Sequence, residues 1–119
     1  MELLARITAL AMCVMAMPLQ AEERGWQRAG ALGMMQIVVV DGARARDEAL
    51  YRDAIEVLCA SQGTCFLRFF TNSSGAAVAV PLPDAIASEP AAIYSRSSKQ
   101  GNETFQWSCR LAPAAGNCF

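Results

Sequence analysis

The groups in this sequence whose types could do chemistry are few: five cysteines, a single lysine, eleven acids and no histidine. The stretch CASQGTC, Cys59 to Cys65, is the densest of them and admits a redox pair, a pair of metal ligands or a staple. Redox motifs usually set their thiols two residues apart at a helix N-terminus, where the dipole favours thiolate. Cys59 instead closes a helical pattern, where the dipole opposes it. Zinc knuckles space their ligands by two to four residues, whereas five residues separate Cys59 from Cys65 and eight separate Cys109 from Cys118. The spacing therefore favours disulfides. If the chain reverses at Gly63, Cys59 and Cys65 approach the ~5.5 Å between Cα atoms that a disulfide needs. Cys109 and Cys118 then pair, each short loop contributing about 2 to 3 kcal/mol. A long-range link of Cys65 with Cys109 remains the alternative, because both project with the apolar set of their strands.

The missing histidine removes Ser-His and Cys-His catalysis in their usual forms, and with them the commonest transition-metal ligand. Lys99 lies in SRSSK, but Arg96 occupies the position three residues before it, so the S-x-x-K pattern of a Ser-Lys dyad is absent. Asp47, Glu48, Asp53 and Glu56 share the wet side of a helical segment and read as surface charge rather than as a glycosidase pair. DGARAR has one glycine and is no phosphate loop. Asn72-Ser73-Ser74 and Asn102-Glu103-Thr104 match the glycosylation sequon, a pattern common by chance. No cofactor site and no metal site is assigned.

The elements that must position these groups can be read from periodicity. MMQIVVVD, residues 34–41, is a continuous β-branched run that reads as a central strand buried on both faces. A helix is expected over 45–61, with Leu50, Ala54, Val57, Leu58 and Ser61 on its apolar stripe, Tyr51 and Ile55 beside it, and Gly63 as its stop. CFLRFF alternates Cys65, Leu67 and Phe69 against Phe66, Arg68 and Phe70. The second set, next to TNSS, reads either as a second packed face or as a candidate binding surface of aromatic and arginine side chains. AVAVP is a possible short strand, LPDAIASEPAAIYSR a broken helix or two single-turn pieces with Asp84 as candidate N-cap, and TFQWSC a half-buried strand. The expected fold is α+β: a small, mostly antiparallel sheet of three to four strands, one main amphipathic helix on one face, and two disulfides.

The N-terminus, MELLARITALAMCVMAMPLQAEE, has the layout of a signal peptide cut after Ala21: a short polar start, an apolar run from Ile7 to Met17, then Pro18. The run is about half of what spans a bilayer, so no membrane span is expected after cleavage. Cys13 leaves with the leader; Met12 before it is too large for a lipoprotein cut. Residues 22–33 mix charge, glycine and Trp26 without a period and are expected as a flexible segment, with Trp26 folding back on the domain. Residues 34–119 form one small disulfide-stapled domain. The leader carries one acid and one base, so the near balance of 10 basic and 11 acidic residues persists, and no basic patch points to nucleic acid.

The constellation of Leu58-Cys59 and Cys65, FFTN, PLPDA, Tyr94, a turn glycine and FQWSC resembles a pattern in small exported bacterial proteins of uncharacterised function. It covers about half the chain, from Leu58 to Cys109. The resemblance implies export and a structural role for the cysteines and Trp107, with no catalytic residue to carry over. The expected function is a non-enzymatic binding domain, periplasmic or secreted, whose partner is another protein or an envelope component. The alternative is a small histidine-free hydrolase or an enzyme inhibitor.

Overall fold

The structure, a computed structural model, describes residues 24–60, 63–112 and 116–119. The leader expected over 1–21 and the stripe position Ser61 lie outside the described residues. The described chain builds one five-stranded mixed sheet whose spatial order follows the sequence. β1 (Trp26–Leu32) turns through Gly33 into β2 (Met35–Val40), antiparallel to it. A 3-10 turn at Gly42–Arg44 leads to α1 (Glu48–Cys59) and then to β3 (Cys65–Thr71), which runs parallel to β2. A short helix α2 (Asp84–Ala87) precedes β4 (Pro90–Ser97) and β5 (Asn102–Trp107), each antiparallel to the strand before it.

The parallel pair follows from the length of α1. Twelve helical residues rise about 18 Å, roughly the length of a six-residue strand, so the helix returns the chain to the end at which β2 began.

The fifth strand is the one that periodicity hides. Residues 26–32, expected within a flexible segment, are the edge strand β1. Their alternation is broken by a bulge, where the register with β2 jumps between Arg28 and Gly30. Trp26 folds back as expected: it is buried, and its indole N–H donates to the Asp53 carboxylate at 2.8 Å. A Cβ on Gly30 would stand 2.7 Å from Val80, so glycine here lets residues 76–82 cross the sheet. That crossing is also why AVAVP is not a strand. Its apolar side chains Ala76, Val78 and Val80 pack on a sheet face instead of extending an edge.

α1 starts at Asp47, whose side chain accepts from the Ala49 amide at 3.1 Å. It buries Leu50, Tyr51, Ala54 and Cys59, with Ile55 and Leu58 half-buried, so the stripe is rotated towards Tyr51 and Ile55. Val57, expected on it, is 44% exposed. Gly63, expected as the helix stop, is not in the left-handed region that such a stop favours. Its small size matters for another reason: a Cβ would meet Ser98 at 2.9 Å. The last carbonyls of the helix are satisfied by side chains, Arg96 donating to Cys59 O at 2.6 Å and Gln36 to Leu58 O at 3.4 Å.

Two cores lie on opposite sides of the sheet. Under α1, Val38, Val40, Leu67, Phe69, Ala92 and Tyr94 meet Leu50, Tyr51 and Ala54. Tyr51 is the hub of edge-to-face contacts with Phe69, Phe105 and Trp107 at centroid distances of 4.9, 5.7 and 4.9 Å. On the far face, Ile37, Val39 and Phe70 are covered by Ile86 of α2 and by the 76–82 crossing. Each fully buried large side chain contributes about 1.5 to 3 kcal/mol. No helix among the described residues is long and apolar enough to cross a membrane.

Candidate functional site

The four described cysteines are all spent on staples. Cys59 bonds Cys65 with 5.7 Å between their Cα atoms, and Cys109 bonds Cys118 with 4.8 Å. These are the local pairings, and they exclude the alternative link of Cys65 with Cys109. The first ties the end of α1 to the start of β3, beside the Arg96 guanidinium that caps the helix. The second closes the tail onto the last strand: the Phe119 amide donates to Trp107 O, and the Cys109 amide to Phe119 O. The Gln106 side chain donates to Asn117 O on the same tail. Part of the outer edge of β5 is thereby paired by the chain's own end.

The candidate surface of Phe66, Arg68 and Phe70 is on one sheet face, as the alternation requires, but its three members meet different fates. Phe70 is corrected to a core residue. It pairs beside Val39 in register and is only 9% exposed, because Ile86 and the 76–82 crossing cover that end of the face. Phe66 is half-buried and Arg68 exposed. In register, Phe66 is flanked by Met35 and Ser95, and Arg68 by Ile37 and Ile93. Arg68 has no hydrogen bond or ion pair among the described residues. Beyond β4 the face turns polar, with the Ser95 and Thr104 hydroxyls 2.6 Å apart and Gln106 next to Ile93. At the other margin stand Leu32, 54% exposed and paired with Met35, and Met34, 71% exposed in the turn. The open part of the face is thus a mixed surface: an aromatic, an unpaired cation and aliphatics, with hydroxyls and an amide alongside.

A second feature lies on the helix side, where α1 stands away from β4 and β5. This groove of about 470 Å³ has Tyr51, Ile55, Tyr94 and Phe105 along its walls and Glu48, Arg52, Glu56 and Glu103 at its rim. The Tyr94 hydroxyl donates to Glu103 at 2.7 Å, and the buried Tyr51 hydroxyl donates to Ala45 O. Burial pushes the Tyr51 hydroxyl above the ordinary phenol range. Tyr94 is raised as well, first by burial and then by its bond to the Glu103 carboxylate. Both phenols therefore stay neutral and act as donors. A smaller recess of about 410 Å³ lies past the ends of β2 and β3, bordered by Gly25, Asp41, Gly42 and Asn72. Of its polar groups, Asp41 caps the 3-10 turn and Asn72 bonds Ala76 and Ser74.

The helix acids have separate duties. Asp47 caps α1 and bonds Arg44 at 2.9 Å, which holds its carboxyl below the usual range. Asp53 anchors Trp26, and Glu48 lies 3.7 Å from Arg52 across one helical turn. Only Glu48 and Glu56 of the four face the groove. Lys99 is exposed in the turn between β4 and β5. Among the described residues, no group of three or more His, Cys, Asp or Glu could hold a metal ion. The groove escapes sequence reasoning because two of its walls come from register: Tyr94 is paired with Phe105, and Arg96 with Glu103. Alternation in residues 90–97 and 102–107, read jointly, was the available signal. The chain matches no family model, no curated protein and no solved structure.

Proposed function

We propose that this chain is an exported, non-enzymatic binding domain of the cell envelope or secreted fraction, which engages a macromolecular partner through the open sheet face around Phe66 and Arg68. The observation that carries the reading is Arg68: an arginine at mid-strand, exposed and without a described partner, set between Ile37 and Ile93 and next to a half-buried phenylalanine. Arginine and aromatic side chains dominate binding energetics where a partner desolvates them. Two disulfides support an oxidising compartment, in line with the leader at residues 1–21. The likeness to small exported bacterial proteins belongs to the same proposal.

The rival, a histidine-free hydrolase, has one observation in its favour: the three glutamates around the groove. Glu48, Glu56 and Glu103 are all exposed, however, whereas a carboxyl serving as general acid at neutral pH needs burial to raise it.

Affinity capture from the native envelope fraction with the oxidised protein and with Arg68→Glu separates the readings. Binding through this face gives a partner retained by the native chain and lost with Arg68→Glu. Equal retention by both chains contradicts it, and hydrolysis abolished by Glu103→Gln would favour the enzyme.

A further inference from the structure

The groove between α1 and the β4–β5 pair is distinct from the sheet face, and its chemistry has a sign. Its volume of about 470 Å³ falls within the range of small-ligand sites. Its walls are apolar and aromatic, from Ile55, Tyr94 and Phe105, with Phe105 half-buried. Among its polar groups the acids outnumber the cations. Both phenol hydroxyls are already committed, Tyr51 to Ala45 O and Tyr94 to Glu103, so neither offers a proton to an incoming anion. Two cations stand by the groove: Arg96, held by Cys59 O at 2.6 Å and by the Tyr94 hydroxyl, and Arg52, whose side chain is 81% exposed and stands 3.7 Å from Glu48. Acceptors are plentiful: Glu48, Glu56 and Glu103 ring the same opening. Glu103 is also held in place, since Tyr94 fixes one of its oxygens from below at 2.7 Å.

An apolar slot lined by a half-buried ring, with carboxylates around its mouth, complements one kind of group, a cation on an aliphatic stem. The stem lies along Ile55 and the ring, the charge sits over the aromatic face, and its N–H groups reach the carboxylates. We propose that this groove is a binding site for an alkylammonium or alkylguanidinium group, supplied either by a lysine or arginine side chain of a protein or by a free polyamine.

The test uses the oxidised chain and two probes, spermidine and a capped tetra-arginine peptide, with binding followed by calorimetry and by the amide shifts of Ile55 and Phe105. The native chain is expected to bind at least one probe, more weakly as salt is raised. The double variant Glu56→Gln and Glu103→Gln should bind about tenfold more weakly or worse, since each ionic hydrogen bond lost is worth on the order of that factor. Both glutamates are exposed, so the variant keeps the native melting temperature. Asp84→Asn, an exposed acid on α2, controls for general charge and should leave affinity unchanged. Tighter binding of the peptide assigns the source to a protein partner, and tighter binding of spermidine assigns it to a polyamine. The proposal is overturned if neither probe shifts the groove amides, or if Asp84→Asn weakens binding as much as the double variant does. Arg68→Glu separates this site from the sheet face, because it leaves probe binding intact whichever way the capture experiment turns out.

Discussion

Tyr51 shows how a residue placed beside the expected stripe becomes its centre. Sequence periodicity put Leu58 and Trp107 on the buried faces of their elements, and both do pack on the core, but only half-buried. The largest of the fully buried side chains are Tyr51, Phe69, Leu50 and Leu67. Hydropathy undervalues Tyr51 because of its hydroxyl, which the fold satisfies with Ala45 O at 2.5 Å. Tyr51→Phe leaves that buried carbonyl without its donor and should cost about 1 to 3 kcal/mol. Tyr51→Ala also removes the ring that three other aromatics meet and should cost about 3 to 5 kcal/mol. Urea denaturation of the oxidised variants measures both, and a Tyr51→Phe chain as stable as the native one would mean that water serves Ala45 equally well. The local disulfides were readable from spacing and helix phase. The different fates of Phe66, Arg68 and Phe70 were not, because one strand's alternation gives the face but not what covers it.

Among the elements, those with a clean period were recovered and those that break it were not. α1, β3 and β5 follow 3.6-residue or alternating patterns and β2 is a continuous β-branched run, and each is present with its ends shifted by a few residues. β1 was lost to its bulge, and β4 to Pro90, which suggested a broken helix but is tolerated as the first residue of a strand. The three-to-four-strand expectation became five for these reasons. The tail after β5 is an element of a different kind, since the Cys109–Cys118 bond lets its last residues pair with Trp107 and Cys109. Replacing both cysteines with serine should cost about 2 to 3 kcal/mol. It should also release protection against hydrogen exchange at the amides of Cys109 and Phe119, while β2 and β3 keep theirs. Protection unchanged at Phe119 would show that the tail holds its place without the bond.

The pH range of the whole domain follows from groups on its surface and in its core. Asp47 and Glu89 are both held below the ordinary carboxylate range, Asp47 first by its bond with Arg44 and Glu89 first by the Ser73 amide. A depressed carboxyl contributes stability above its unfolded value that is lost as pH falls through the folded one. Stability should therefore be level near neutrality and decline below about pH 4, with Glu89→Gln flattening that decline. Tyr51 and Tyr94, the two tyrosines of the chain, are raised, so their contribution is complete below the ordinary value of 10.0 and is lost as pH rises beyond it. Ultraviolet titration should find each phenol less than half ionised at pH 10, with Tyr51 phenolate appearing together with unfolding. Early ionisation of one tyrosine in the folded protein would contradict the burial described for it.

The binding role is tested most directly by site-specific photocrosslinking in the native envelope. A photoreactive phenylalanine analogue is placed at Phe66 on the open sheet face or at Val57, which is 44% exposed on the outer side of α1. Both positions tolerate the change, since neither side chain is fully buried. A discrete adduct is expected from position 66 that disappears when Arg68→Glu is added, and none from position 57. An adduct from position 57 with none from position 66 would contradict binding through the sheet face.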